Sequence, residues 1–377
     1  MSRKQISSGG FTSLLALVVE ATPNAYGITP IVQLAHEDAW MSPPLAMAFA
    51  LVLMFPLFHL FSAFGEALSR EEQVLPSWTK TLLVLPLILV LLYWLTFNVR
   101  VFSDIIRMAY LPLTPEWVIY AGFLAVCAFA AYHGLEVLTR VAVLVVALRV
   151  AFVGFAPFTA YQEGHFAHLL PLLARGPLPV LQSTLPQVGW FLESAVLALF
   201  YPMIKKPRYR SVVSGFGLTF ITYYTQFLLT LLVFTAPLVS RMIYPALELV
   251  EMVTIGEFFE RVDPVMVAVW SFAMLCKSSA FLLIITALLN RLLRVNIRTR
   301  LTWVTALLAF FVTALVIQDV VDEIRLYRDW WLWTSLYVLL DLYLLAWALH
   351  THAKKSRGET NNESWNVTEG SVTDGST

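Results

Sequence analysis

Long apolar runs separated by short polar ones dominate this chain. A helix that crosses a membrane needs about 20 mostly apolar residues. Ten segments meet that requirement, roughly 8–35, 43–67, 80–99, 116–133, 137–158, 182–203, 211–236, 262–289, 300–318 and 330–350, and we number them spans one to ten. The final stretch, "AKKSRGETNNESWNVTEGSVTDGST", is polar and poor in aromatics. The pattern therefore predicts an all-α polytopic membrane domain over residues 1–352 and a disordered cytoplasmic tail over 353–377.

Two spans depart from a clean helical run. In span one, "VVEATPNAYGITP" (Val18–Pro30) places Glu20, Pro23, Asn24, Tyr26, Gly27 and Pro30 where lipid tolerates them least. Proline removes a backbone donor and clashes with the preceding turn, while glycine permits unusual geometry. Irregular backbone at membrane depth survives only beside protein or water. Span six, "LQSTLPQVGWFLESAVLALFYP", repeats the anomaly with Pro186, Gly189, Glu193 and Ser194. Spans one and six correspond if ten spans divide five plus five, and matched interrupted helices point to a midplane site in inverted-repeat transporters.

Five charged residues fall near mid-membrane by their depth at about 1.5 Å per residue: Glu20, Arg149, Glu193, Lys277 and Asp341. An unpaired charge there costs from about 2.5 kcal/mol upward, so these groups are expected to pair, protonate or meet water. Asp263, Trp270 and Lys277 recur at seven-residue spacing and share one stripe of span eight. In span three, Tyr93 reaches toward the same interior, whereas Asn98 reads as an interfacial anchor. "YPALELVEMVTIGEFFERVD", between spans seven and eight, reads as a short surface helix.

Composition agrees. The chain is 59% hydrophobic and 13% charged, against about 25% charged in soluble domains. Its net charge of zero argues against a nucleic-acid partner. Cys127 and Cys276 lie deep in apolar runs and read as core residues. HExxH, GxSxG, P-loop and Cys/His metal patterns are lacking, so no catalytic residue, cofactor or metal is expected. Arg3 and Lys4 ahead of Phe11–Val19 resemble a signal peptide, but no small-x-small cleavage site follows and many spans come after; we read a retained first helix. With the N-terminus inside, sixteen Lys and Arg residues lie on the cytoplasmic side and seven outside, which places both termini in the cytoplasm.

"HEDAWMS" after span one, "ALFYPMIKKPR" closing span six and "GEFFERVDPVMVAVW" opening span eight resemble the permease-like B subunit of spore nutrient-germinant receptors (GerAB type). That family belongs to the amino acid/polyamine/organocation superfamily. The resemblance implies ten transmembrane helices in a LeuT-like five-plus-five inverted repeat with broken helices one and six. It further implies a small nutrient, typically an amino acid, at the breaks, two other receptor subunits as partners, and residence in the inner spore membrane. The resemblance makes Ala25, Tyr26, Gly27, Trp190, Phe191 and Glu193 ligand-binding candidates and Arg149 a charge-coupling candidate; the residue pattern adds Asn24, Tyr93 and Trp270 to the first group and Glu20, Lys277 and Asp341 to the second. The first break only loosely matches the family's glycine-rich, proline-ended pattern, and Glu20 is unusual there. Sequence leaves three classes open: a germinant sensor, a proton-coupled secondary transporter of amino acids or organic cations, and a channel-like subunit.

Overall fold

The computed structural model describes residues 5–63, 77–160, 164–252, 263–293, 295, 297–316 and 320–348. The polar tail, the 253–262 part of the expected surface helix and the start of "GEFFERVDPVMVAVW" lie outside them. Among the described residues, seven helical stretches are long and apolar enough to cross a membrane. One of these, Ser8–Phe61, holds spans one and two. The broken span six and the shorter apolar helix Thr299–Leu315 complete the ten.

Span one comprises an α-helix over Ser8–Glu20, a π-helical turn over Pro23–Gly27 and an α-helix over Ile28–Ala35. Ser7 caps its start by accepting from the Gly10 N–H at 3.0 Å, which satisfies one of the helix's free donors. Span two is Ser42–Ala63 and span three is Ser77–Ala109. Spans four and five are Glu116–His133 and Leu135–Ala160. Span six changes from α-helix over Leu178–Leu192 to 3-10 helix over Glu193–Met203. Span seven runs from Arg210 to Val233 with a π-turn at Phe220–Tyr224. Span eight is Asp263–Leu293, span nine is Arg298–Val316, and span ten carries a π-turn at Leu326–Trp330 before its main helix over 331–348.

Spans one, six and eight form the interior: Leu14–Ala21, Trp190–Ala198 and Ala280–Ile285 are almost wholly buried. Val52, Leu144, Val304 and Leu315 stand exposed on the perimeter, the apolar surface expected to face lipid. The short motifs noted in the sequence make connections. In "HEDAWMS", buried Asp38 accepts from the Leu173 N–H at 2.9 Å, tying the end of span one to the loop before span six. In "ALFYPMIKKPR", Ile204 forms a parallel bridge with Ile6, and Tyr201 packs on Phe11 and Phe58. A short helix over Pro245–Glu251 lies at the opposite end of span one, with Tyr244 at its start.

Candidate functional site

Pro23 has no N–H to give the preceding turn, and the helix answers by widening. The N–H groups of Ala25 and Tyr26 both go to the Thr22 carbonyl, at 2.9 and 3.2 Å. The Ala21 carbonyl is taken by the indole of Trp270, which donates at 2.8 Å. Trp270 thus serves the backbone of the interruption from span eight. Tyr26 lies 2.8 Å from the Tyr244 hydroxyl and donates to Glu323 at 2.6 Å. Burial, ahead of nearby charges, holds the Tyr244 hydroxyl above the usual tyrosine range, so it stays protonated.

The face toward span six is closed. Lys277 Nζ donates to Glu193 at 2.8 Å and to Thr22 at 2.6 Å, and Thr22 donates to Asn98 at 2.8 Å. Lys277, Glu193 and Asn98 are fully buried. Asn98 is therefore no interfacial anchor: span three continues ten residues past its expected end, to Ala109, and carries Asn98 into the core. Trp190 fills the space beside Gly27, where a Cβ would stand 2.8 Å from the indole. The same indole stacks on Tyr327 at 4.5 Å and 6°. Gly189 lets span six touch the backbone of span ten, since its Cβ would stand 2.6 Å from Leu332 Cα.

The face toward span five is different. Arg149 Nε lies 3.1 Å from Glu20 Oε1, and Thr222 donates to the other Glu20 oxygen. Arg149 Nη2 and both amide atoms of Asn24 have no hydrogen-bond partner among the described residues, although the two side chains are 7% and 5% exposed. Arg149 and Asn24 line a common cavity of about 50 Å³, together with Ala25, Trp270, Gln226 and the Pro245–Glu251 helix.

The candidates thus divide. Asn24, Ala25, Trp270 and Arg149 share the cavity, and Glu20 stands beside it. Gly27, Trp190, Glu193 and Lys277 build the closed face. Tyr93 is a partly buried ring against Trp331, with its hydroxyl unpartnered. Phe191 packs on Phe216 and Tyr223, away from both faces. Asp341 is buried with Oδ2 unpartnered and joins neither ion pair.

Sequence reading missed a cluster beyond the interruption. Arg100 donates to Glu323 at 2.7 Å, Asp104 at 3.2 Å, Glu116 at 2.5 Å and Tyr120 at 2.6 Å, and Arg107 also pairs with Glu116. Arg100 and Asp104 are spaced i,i+4, the helical pairing distance, and that spacing was the available sign that span three continues. Through Glu323 and Tyr26 the cluster reaches the interruption. Among the described residues no group of three His, Cys, Asp or Glu side chains is placed to hold a metal ion.

Comparison with known proteins fits this architecture. The family described as spore germination protein (spore permease) matches residues 10–322. Spore germination protein GerQB of Bacillus cereus is 22% identical over 246 residues, covering 64% of this chain and 68% of that protein. Spore germination protein YndE of Bacillus subtilis (strain 168) is 24% identical over 245 residues, covering 63% and 67%. Among solved structures, MhsT in complex with L-phenylalanine superposes with a TM-score of 0.56 at 13% identity, covering 93% of this chain and 99% of that one. Mhp1, a nucleobase-cation-symport-1 family transporter in a closed conformation with bromovinylhydantoin bound, gives 0.55 at 11% identity, covering 94% of each. These likenesses establish a LeuT-like fold with interrupted helices one and six. The chain is a multi-pass membrane protein, and it belongs to the spore germination protein family.

Proposed function

We propose that this protein is the B-type subunit of a spore nutrient-germinant receptor, which binds a small nutrient at the span one interruption and passes the signal to two partner subunits. The observation that carries this reading is the cavity beside Asn24, where buried polar groups stand unpartnered next to a π-turn. Buried polar groups are almost always hydrogen-bonded, and those left free at a π-turn mark functional sites. The family match supports the germination context, and the L-phenylalanine held by one solved neighbour supports an amino acid as the nutrient. On this reading the protein lies in the inner spore membrane with both termini cytoplasmic, and it is not an enzyme.

Deleting the gene should abolish the germination response of spores to one nutrient class, and the purified chain in nanodiscs should bind that nutrient saturably. Spores that respond normally to every nutrient, combined with no saturable binding, would overturn the reading. The alternative, a proton-coupled secondary transporter of amino acids or organic cations, draws on the two buried acid–base pairs, Glu193–Lys277 and Glu20–Arg149. Uphill accumulation of labelled nutrient in proteoliposomes would favour it over sensing.

A further inference from the structure

We propose that Arg149 and Asn24 grip a small zwitterion on the span five side of the interruption, with its carboxylate on Arg149 Nη2 and its ammonium on Asn24 Oδ1. This rests on the nutrient-binding reading above and supplies the chemistry and position of the site.

Donor and acceptor needs come first. A guanidinium only donates, so Nη2 calls for an acceptor, and the carboxamide offers an acceptor and two donors. Both groups are more than nine-tenths buried and unpartnered, and they share one cavity. A ligand bearing a carboxylate and an N–H⁺ group supplies what each lacks.

Net charge comes second. Glu20 already balances Arg149, so a simple carboxylate would bury an uncompensated negative charge, which is strongly unfavourable at low dielectric. A simple amine would bury a positive one. A zwitterion leaves the site neutral.

Lining and access come third. The walls of the cavity include Ile105, Val250 and Val267, which would face an aliphatic group of the ligand. The site therefore suits a small zwitterion with an aliphatic group. Leu247 and Met266 form a half-buried rim, and Gln226 reaches the Pro245–Glu251 helix by donating to the Ala246 carbonyl at 3.5 Å.

The position also differs from the space between spans one and six, which Trp190 and the Lys277–Glu193 pair already fill.

The test is titration calorimetry on the purified full chain in nanodiscs, with glycine, alanine, propionate, ethylamine and larger amino acids. Glycine or alanine should bind about tenfold or more tighter than propionate or ethylamine, since each of those lacks one charge-assisted contact. The double variant Glu20→Gln/Arg149→Gln removes both charges and keeps the site neutral. It should bind the zwitterion about 10- to 100-fold more weakly, with its thermal melt showing a folded protein. Glu20→Gln alone leaves Arg149 unbalanced, so propionate should gain relative to glycine.

Amino-acid binding unchanged in the double variant would overturn this inference and leave the nutrient reading standing. Equal binding of propionate and glycine by the unaltered chain would overturn the zwitterion. Failure of every compound to bind would mean that the cavity holds water only, and would overturn this inference together with nutrient binding by the chain alone. The effect of gene deletion on germination would then still decide the sensor role.

Discussion

On the span six side of the interruption, Lys277 is bonded to both Glu193 and Thr22, and an indole occupies the space beside Gly27. On the span five side, the Arg149–Glu20 pair leaves Nη2 without a hydrogen bond, and Asn24 has neither amide atom bonded, among the described residues. Both faces bury one acid and one base at similar depth. Each also leaves buried polar atoms without a hydrogen-bond partner among the described residues, Glu193 Oε1, Asn98 Nδ2 and Trp190 Nε1 on one side and Arg149 Nη2 and the Asn24 amide on the other, but of these only Arg149 and Asn24 line the cavity. A buried pair whose surroundings are filled holds helices together, whereas a pair beside a cavity has chemistry to offer a ligand. Burial, charge and unmet bonds do not tell these faces apart; the cavity does.

The largest expected effect lies on the closed face. Lys277→Ala strands Glu193 without its counter-charge in a fully buried site. Removing one partner of a buried pair costs about 3–5 kcal/mol, which thermal unfolding in nanodiscs will read. The double variant Lys277→Met/Glu193→Met should recover most of that loss, because a well-packed apolar pair replaces an ion pair with little penalty. A loss below about 1 kcal/mol for Lys277→Ala would mean that the closed face is not structural.

The charged residues at membrane depth were legible in the sequence, because lipid makes any such residue conspicuous. Their pairing was not. Periodicity assigns a residue to a face of its own helix, but Glu193 and Lys277 are 84 positions apart, and which acid meets which base depends on how the spans pack. The interruption of span one was visible from Pro23 and Gly27. Its form as a π-turn, with Trp270 donating to Ala21, was not, since the compensating donor comes from span eight. Trp190 and Phe191 are neighbours in sequence and both aromatic, yet one stacks on Tyr327 and the other packs on Phe216. The Arg100 cluster escaped because a hydropathy count ends span three at its first charge, whereas the helix runs on with Arg100 buried among acids.

An intermediate effect is expected where the closed face depends on close backbone approach. Gly189→Ala would push a methyl to 2.6 Å from Leu332 Cα, and backbone cannot swing aside as a side chain can. Overpacking of this kind costs about 1–3 kcal/mol. Gly122→Ala is the matched control: this glycine also sits in a helix, but its added Cβ would meet nothing within 4 Å. It should be neutral or slightly stabilising, because alanine is the better helix former by about 1 kcal/mol. Equal melting temperatures for the two variants would dissolve the contact between spans six and ten, and with it one wall of the closed face.

The smallest effect on stability should come from the open face, at Asn24. A buried amide with no partner is already a burden, worth about 1–3 kcal/mol of unmet desolvation. Replacing it by an apolar group of similar shape removes a polar group that no described residue satisfies. Asn24→Leu should therefore leave the ligand-free protein within about 1 kcal/mol of its original stability, or raise it, whereas Lys277→Ala lowers it several-fold more. The same substitution removes the acceptor proposed for the ammonium group, so added glycine should no longer raise the melting temperature. A ligand-free loss above about 2 kcal/mol would show that Asn24 already has its partners, and the two faces would then be alike. Stability kept together with response lost would locate binding at the face whose unmet polar groups line the cavity.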